Sequence, residues 1–202
     1  MIMKRFISLL LIAVMAFTFF TACGNDEPEE FTYDANKTYY ATIDIKDYGK
    51  IVVKLDSVNA PETVKNFVNL SVSGFYDGLT FHRIMEGFMM QGGDPEGTGY
   101  GGSPNTIVGE FSANGYNNTL SHKRGVISMA RSNAYNSASS QFFICHQDSD
   151  FLDGKYAAFG VVTEGIEVVD KVCEEAQPID NNGTIPAKNQ PIINNITITW
   201  DE

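Results

Sequence analysis

The sequence predicts a mainly β domain, a closed eight-stranded antiparallel barrel with two α-helices at its ends. About eight short apolar runs are separated by stretches rich in Gly, Asn and Ser, as expected for strands joined by turns. Only two segments carry apolar residues at helical spacing, and strands and helices do not alternate along the chain. Because parallel sheets depend on that alternation, an antiparallel barrel fits the pattern best.

The first two strands and the first helix are predicted between residues 38 and 74. The run TYYATIDIKDYGKIVVKLD alternates in character around Asp47–Gly49, which indicates a hairpin with a tight turn. The next run, NAPETVKNFVNLSVSGF, has its apolar residues at helical spacing. Asn59 is predicted to cap this helix, Pro61 fits its first turn, and Gly74 ends it.

The remaining strands are predicted from short apolar runs, namely LTFHRIM, FMMQGG, GVISMA, SQFFICH, YAAFGVV and, at the end of the chain, IINNITITW. A second helix is predicted over EGIEVVDKVCEEA, because Val168 and Val172 are four residues apart, as are Val169 and Cys173. Pro178 stops this helix.

Composition and charge exclude several classes of protein. Apolar residues make up 43% and charged residues 19% of the chain, with 18 Gly and 7 Pro, which excludes a disordered, collagen-like or coiled-coil chain. The 25 Asp and Glu against 14 Lys and Arg give a net charge of −11, so no nucleic-acid partner is expected. Three cysteines are too few for a disulfide scaffold.

Residues 1–22 are predicted to be a signal peptide. Lys4 and Arg5 precede the apolar run FISLLLIAVMAFTFF, and small residues follow it. A permanent membrane anchor is the alternative, because Phe6–Ala22 is about long enough to span a bilayer.

The cysteine at the end of this segment makes the signal more specific. The string FTACGND resembles a bacterial lipoprotein signal, with Phe20 in place of the usual Leu. The resemblance implies that Cys23 carries lipid and anchors the protein in the bacterial cell envelope, which we expect to be at the outer membrane. Residues 23–37 are then an acidic tether, and residues 38–202 the folded domain. The acidic residues are either a signal for display on the outer surface or a plain spacer.

Three motifs lack the context that chemistry would need, and neither a cofactor nor a metal is predicted. GTGYGG at 97–102 matches a dinucleotide-binding pattern but is not followed by a predicted helix. Cys145 and His146 are consecutive on a strand, so their side chains point to opposite faces, and Cys145 is predicted to be a core residue. The histidines and cysteines show no metal-ligand spacing, and Cys145 and Cys173 are expected to be separate thiols.

A candidate groove follows from the two-residue period of strands. Residues two apart share a face of the sheet, as Met89 does with Gln91 and Gln141 with Phe143. Arg83 lies on the opposite face from His82. Because side chains fill the interior of a barrel this small, an outward face with Arg, Gln, Met and Phe is a candidate binding surface. The alternative is that the Met and Phe residues belong to the core.

The strings FHRIMEGFMMQGGD and SMARSNAYNSASSQFFICHQDSDFLDGKYAAFG resemble the cyclophilins, a family of barrel-shaped peptidyl-prolyl cis-trans isomerases. The resemblance covers roughly residues 38–200 and keeps the order of the motifs. It implies isomerisation of X–Pro bonds in proline-containing polypeptides, with no cofactor.

The resemblance also implies roles for individual residues. It makes Arg83 the catalytic residue. It implies a proline pocket formed by Phe88, Met89, Gln91, Phe143, Leu152 and Tyr156. It pairs the main chain of Ala130 and Arg131 with the substrate backbone, with Gln141 beside them, and adds His82 and Phe151 as further substrate-binding residues. Phe151 stands where many eukaryotic cyclophilins have a Trp that donates to the inhibitor cyclosporin, so weak cyclosporin binding is expected.

The leading hypothesis is a monomeric prolyl isomerase that assists protein folding in the cell envelope. One alternative is a module that binds proline-containing segments and in which turnover is incidental. Another is a surface lipoprotein whose acidic tether carries the biological role.

Overall fold

The structure, a computed structural model, describes residues 31–201 and contains the eight predicted strands and two predicted helices. The strands are β1 (Thr38–Ile45), β2 (Gly49–Leu55), β3 (Thr80–Met85), β4 (Met89–Asp94), β5 (Val126–Met129), β6 (Phe142–Cys145), β7 (Ala158–Glu164) and β8 (Ile193–Asp201). The helices are α1 (Pro61–Val72) and α2 (Ile166–Glu175), and neither has the length and hydropathy needed to cross a membrane. The predicted signal peptide and Cys23 lie outside the described residues.

The strands form one antiparallel sheet in the order β3-β4-β6-β5-β7-β2-β1-β8. The sheet curls into a half-barrel, and its two end strands meet near Thr80 and Ile192, which form an isolated bridge. Within residues 31–201 no continuous ladder joins β8 to β3. The prediction of eight antiparallel strands and two helices is therefore confirmed, whereas full closure of the barrel is not.

Alternation along the strands divides the apolar residues between two clusters. On β6, Phe142 and Ile144 enter the barrel core, whereas Phe143 and Cys145 belong to a smaller cluster on the other face. In the core, the Phe142 ring lies edge-on to Phe67 of α1 at 5.5 Å between centroids. Fully burying one such ring contributes about 1.5–3 kcal/mol. The second cluster is where the candidate site lies.

The predicted cap of α1 is wrong. Ala60, not Asn59, occupies the capping position, and it makes no side-chain hydrogen bond. The Asn59 amide instead donates to Asp56 at 2.6 Å. The free N–H groups of the first turn are satisfied by the buried Glu110 carboxylate, which accepts from the Thr63 N–H at 2.8 Å and from its hydroxyl at 2.7 Å.

Two aromatic residues ahead of β1 pack on the domain. The Tyr33 ring stacks on Tyr39 at 5.0 Å between centroids, and Phe31 lies 5.8 Å from Trp200 of β8. The Tyr39 hydroxyl also accepts the Asp34 N–H at 2.8 Å. Although the sequence analysis places residues 31–37 in the tether, these contacts join Phe31 and Tyr33 to the folded body.

Candidate functional site

One cavity of about 180 Å³ opens on the outer face of the sheet beside β4 and β6. Nine of the residues singled out from the sequence line it: Arg83, Phe88, Met89, Gln91, Ala130, Arg131, Phe143, Leu152 and Tyr156. They come from β3, β4 and β6, from the turn between β3 and β4, and from the segments that follow β5 and precede β7. The fold thus brings together residues up to 73 positions apart in the chain (83 to 156).

The floor of the cavity is apolar. Met89, Phe143 and Leu152 are each less than a tenth exposed and form a cluster separate from the barrel core. Their neighbours Met90 and Ile144 point the other way, into the core. Met89 and Phe143 are therefore buried, as they would be if they belonged to the core. They nevertheless lie outside the barrel core and form the floor of an open cavity.

Arg83 places an unneutralised cation at the wall of this cavity. Its Nε donates to the Asn182 carbonyl at 2.7 Å, and its Nη1 donates to Gln91 Oε1 at 3.3 Å. No ion pair among residues 31–201 includes it. Burial lowers the pKa of Arg83 from its ordinary value, yet a guanidinium remains protonated at neutral pH. Its charge is thus available to a ligand in the cavity.

A relay of two amides fixes the partner of this guanidinium. Gln91 Nε2 donates to Gln141 Oε1 at 2.9 Å, and Gln141 Nε2 donates to the Gly101 carbonyl at 2.7 Å. Because the NH₂ group of Gln91 is already donating to Gln141, the Gln91 oxygen is the atom that must face Arg83. Gln141 itself lines a neighbouring hollow of about 480 Å³ rather than the first cavity.

The glycine-rich loop that receives this relay is organised by one buried carboxylate. Asp94 accepts the N–H groups of Glu96 at 2.8 Å and Thr98 at 3.0 Å. Burial alone would raise the pKa of Asp94. These and further backbone hydrogen bonds outweigh burial and hold the pKa of Asp94 below its ordinary value. GTGYGG is therefore a loop that continues from β4, and the next element is the short 3₁₀ turn Ser112–Asn114.

The Arg131 side chain is held within the protein. Its Nε and Nη2 donate to the Lys155 carbonyl at 3.0 and 2.8 Å. The guanidinium carbon lies 4.7 Å from the centre of the Tyr156 ring and 5.0 Å from that of Phe111. The guanidinium thus stiffens the wall formed by Tyr156.

Besides Gln141, two other predicted site residues lie outside the cavity. His82 is buried beside Gly99 of the glycine-rich loop, and neither of its ring nitrogens has a hydrogen-bond partner among residues 31–201. Phe151 is 63% exposed at the rim, where its ring lies 5.5 Å from Phe88.

The family model of the cyclophilin-type peptidyl-prolyl cis-trans isomerases matches residues 40–199, which include this site. The chain belongs to the cyclophilin family. A peptidyl-prolyl cis-trans isomerase of Helicobacter pylori is 46% identical over 138 residues, which are 67% of this chain and 81% of the relative. Isomerase B of Bacillus subtilis is 45% identical over 123 residues, 61% of this chain and 82% of the relative.

A solved structure gives the same result. The crystal structure of a cyclophilin-type isomerase from Cryptosporidium parvum, obtained in the presence of the dipeptide Ala-Pro, is 32% identical to this cyclophilin. It aligns with a TM-score of 0.70 over 80% of this chain and 99% of its own.

The anchor of Arg83 is a feature that the sequence analysis missed. Asn182 belongs to a turn in which Asp180 Oδ1 accepts the N–H groups of Asn182 and Thr184, both at 3.0 Å. These bonds lower the pKa of Asp180. Gly183 adopts φ +85°, and a Cβ there would lie 2.6 Å from the Ile84 carbonyl oxygen. The string DNNGT carries a turn signal, but nothing local to it indicates that it lies against β3.

A buried histidine behind the cavity floor was also missed. His122 stacks on Phe143 at 6.0 Å between ring centres, and its nitrogens bond Asp153 at 2.8 Å and the Ser128 hydroxyl at 3.0 Å. Burial lowers the pKa of His122 even though Asp153 opposes this effect. The neutral imidazole thus supports the floor from below.

Cys145 and His146 are confirmed to point apart. Cys145 lies in the cluster under the cavity, and burial raises its thiol pKa to about 12, so it is not a nucleophile. Cys145 and Cys173 are both free and buried, as expected.

Proposed function

We propose that this cyclophilin isomerises X–Pro bonds of polypeptide clients in the cell envelope, with Arg83 contacting the reacting prolyl nitrogen. The observation that carries the assignment is a half-buried guanidinium that forms no ion pair with any residue from 31 to 201 and is fixed by Asn182 and Gln91 at the edge of an apolar cavity.

The reaction needs neither a nucleophile nor a cofactor. Amide resonance opposes rotation with a barrier of about 18–20 kcal/mol, although the two X–Pro isomers differ by only about 0.5–1 kcal/mol. Halfway through the rotation the prolyl nitrogen becomes pyramidal and gains a lone pair. A site accelerates the rotation when it binds this twisted state more tightly than either planar isomer.

Arg83 supplies that preference. Its guanidinium can donate to the lone pair of the twisted amide, whereas the planar nitrogen is a poor acceptor. Because Asn182 and Gln91 hold the side chain in advance, little reorganisation accompanies the reaction. The charge is partly desolvated, which strengthens the interaction further.

The apolar floor holds the proline ring while the rest of the peptide turns. Met89 and Phe143 present a buried apolar surface, with Leu152 and Tyr156 beside it. Phe88 forms the rim of the cavity next to Arg83, and the centre of its ring lies 5.8 Å from the Arg83 guanidinium carbon.

The segment that follows β5 is assigned the role of binding the main chain of the substrate. The Ala130 N–H already donates to the Gln141 carbonyl at 2.9 Å, so it is not free to bind substrate. The Ala130 carbonyl and the main chain of Arg131 are therefore the partners that this segment offers, and Ala130 also contributes wall surface.

The location of the protein rests on the sequence before residue 31. The basic start, the apolar run and FTACGND support processing before Cys23 and lipidation of that cysteine. The acidic residues that follow would separate the domain from the bilayer.

Activity is tested with the full-length chain on a proline peptide by exchange NMR. Location is tested by labelling cells with a radioactive fatty acid and separating their membranes, with Cys23→Ser as the matched variant. We expect the native chain to carry the label and to separate with the membranes, and C23S to carry no label. Equal labelling of the two proteins would contradict lipidation at Cys23. Replacing residues 26–30 with neutral ones and measuring protease access on whole cells then decides between a surface signal and a spacer.

A further inference from the structure

His146 makes contacts that the isomerase mechanism above does not use. It follows β6 directly and is only 6% exposed. The ring nitrogen Nδ1 of His146 accepts the Gly87 N–H at 2.9 Å. The main-chain N–H of His146 donates to the Phe88 carbonyl, also at 2.9 Å. One residue thus bonds the Gly87 N–H and the Phe88 carbonyl, the two main-chain groups that flank the Gly87–Phe88 peptide bond in the turn between β3 and β4.

That turn carries the rim of the proline cavity. Gly87 has φ +76°, a conformation that favours glycine, and the Phe88 N–H donates to the Met85 carbonyl at 3.0 Å. The Phe88 side chain then lies over Arg83 and against Phe151. The orientation of the rim therefore depends on where Gly87 and Phe88 are held.

The other side of the imidazole is tied to α2. His146 Nε2 lies 3.3 Å from Asp170 Oδ1, and Arg124 Nη2 donates to both oxygens of Asp170, at 2.7 and 2.6 Å. Since the Gly87 N–H is a donor, Nδ1 must be unprotonated, and the proton of the neutral ring lies on Nε2, facing Asp170.

We infer that His146 is a positioning residue for substrate binding, which sets the Phe88 rim through the Gly87 N–H. The inference rests on the proposed role of the cavity as the proline site.

Two amide substitutions separate the two ring nitrogens. In His146→Asn the side-chain oxygen can replace Nδ1 and accept the Gly87 N–H. In His146→Gln the amide reaches toward Asp170 and leaves the Gly87 N–H without its partner. The matched control is Gln147→Ala, at the next, exposed position.

We expect H146Q to weaken binding of a proline peptide about three- to tenfold, the effect of one lost hydrogen bond, while the exchange rate of the bound peptide changes less than about twofold. H146N and Q147A should bind as the native chain does. Equal peptide affinity of H146N and H146Q would overturn the inference, as would a loss confined to the exchange rate.

A second measurement uses the native chain and needs no activity. In hydrogen-exchange NMR the Gly87 amide should exchange slowly with solvent in the native chain and in H146N, and faster in H146Q, because only H146Q removes the acceptor of its N–H. A Gly87 amide that exchanges equally fast in all three proteins would refute the contact even if the protein is an active isomerase. Absence of isomerase activity with the Gly87 protection intact would instead refute only the proposed site.

Discussion

Replacing Arg83 with Ala tests the mechanism most directly. The substitution removes the donor to the twisted amide and leaves the Asn182 carbonyl and Gln91 Oε1, which lie 2.7 and 3.3 Å from the guanidinium, without their partner. The apolar floor of Met89 and Phe143 remains, although Met89 Sδ loses the contact that Arg83 Nη1 makes with it at 3.8 Å. The effect should therefore fall on the rotation step and not on the binding of the proline ring.

The magnitude follows from the nature of the lost contact. A hydrogen bond from a charged donor contributes about 1.5–3 kcal/mol, which corresponds to about a 10- to 150-fold change in rate. R83A should therefore lower the exchange rate of the bound peptide by about 100-fold. R83K keeps a charge but lacks the fork that holds Asn182 and Gln91 together, so a loss of about tenfold is expected.

Exchange NMR on a proline peptide measures both quantities, since it reports the dissociation constant and the isomerisation rate of the bound peptide. Peptide affinity of R83A should remain within about threefold of the native value, because the planar nitrogen is a poor acceptor. Lys65→Ala, on an exposed position of α1, is the control for an unrelated loss of charge. Full turnover in R83A, or a loss that appears only in affinity, would show that the mechanism is wrong.

Three further results are expected. Glu110→Ala should lower the free energy of unfolding by about 1–3 kcal/mol in urea denaturation, because Thr63 and the first turn of α1 lose their acceptor, and an unchanged midpoint would refute this capping role. Phe151→Trp should tighten inhibition by cyclosporin about tenfold through one new donor, whereas nanomolar inhibition of the native chain would contradict the prediction. The free energy of unfolding should decrease as the pH falls below about 6.5, the ordinary pKa of histidine. Burial lowers the pKa of His82 and His122, so the unfolded chain binds protons that the folded chain refuses, and the decrease continues until the folded-state pKa values are reached. A stability independent of pH between 7 and 5 would contradict this burial effect.

The apolar patterns of the sequence were sufficient for the strands, the helices and the faces of the site. Met89 and Gln91 line one cavity, as their two-residue spacing predicts. This works because side chains of a strand alternate between faces whatever the surrounding fold. The division of β6 between the core and the cavity floor follows from the same rule.

Contacts between distant segments could not be predicted in this way. Asn59 fits the pattern of a helix cap, but the carboxylate that satisfies α1 comes from Glu110, 48 positions beyond Glu62 in the chain. The anchor of Arg83 is similar, since the Asn182 carbonyl is 99 positions away and is presented by the main chain, which leaves no side-chain signature.

By itself the sequence determined the strand and helix content, the cyclophilin family and the residue types that reach the cavity, because these depend on local periodicity and on contiguous motifs. Only the tertiary structure decided that the sheet remains a half-barrel, that Gln91 turns its oxygen to Arg83, and that His146 holds the Phe88 rim. These features are set by which donor meets which acceptor once distant segments pack together. Hydrogen bonds are short-ranged and directional, so a one-dimensional pattern does not encode them.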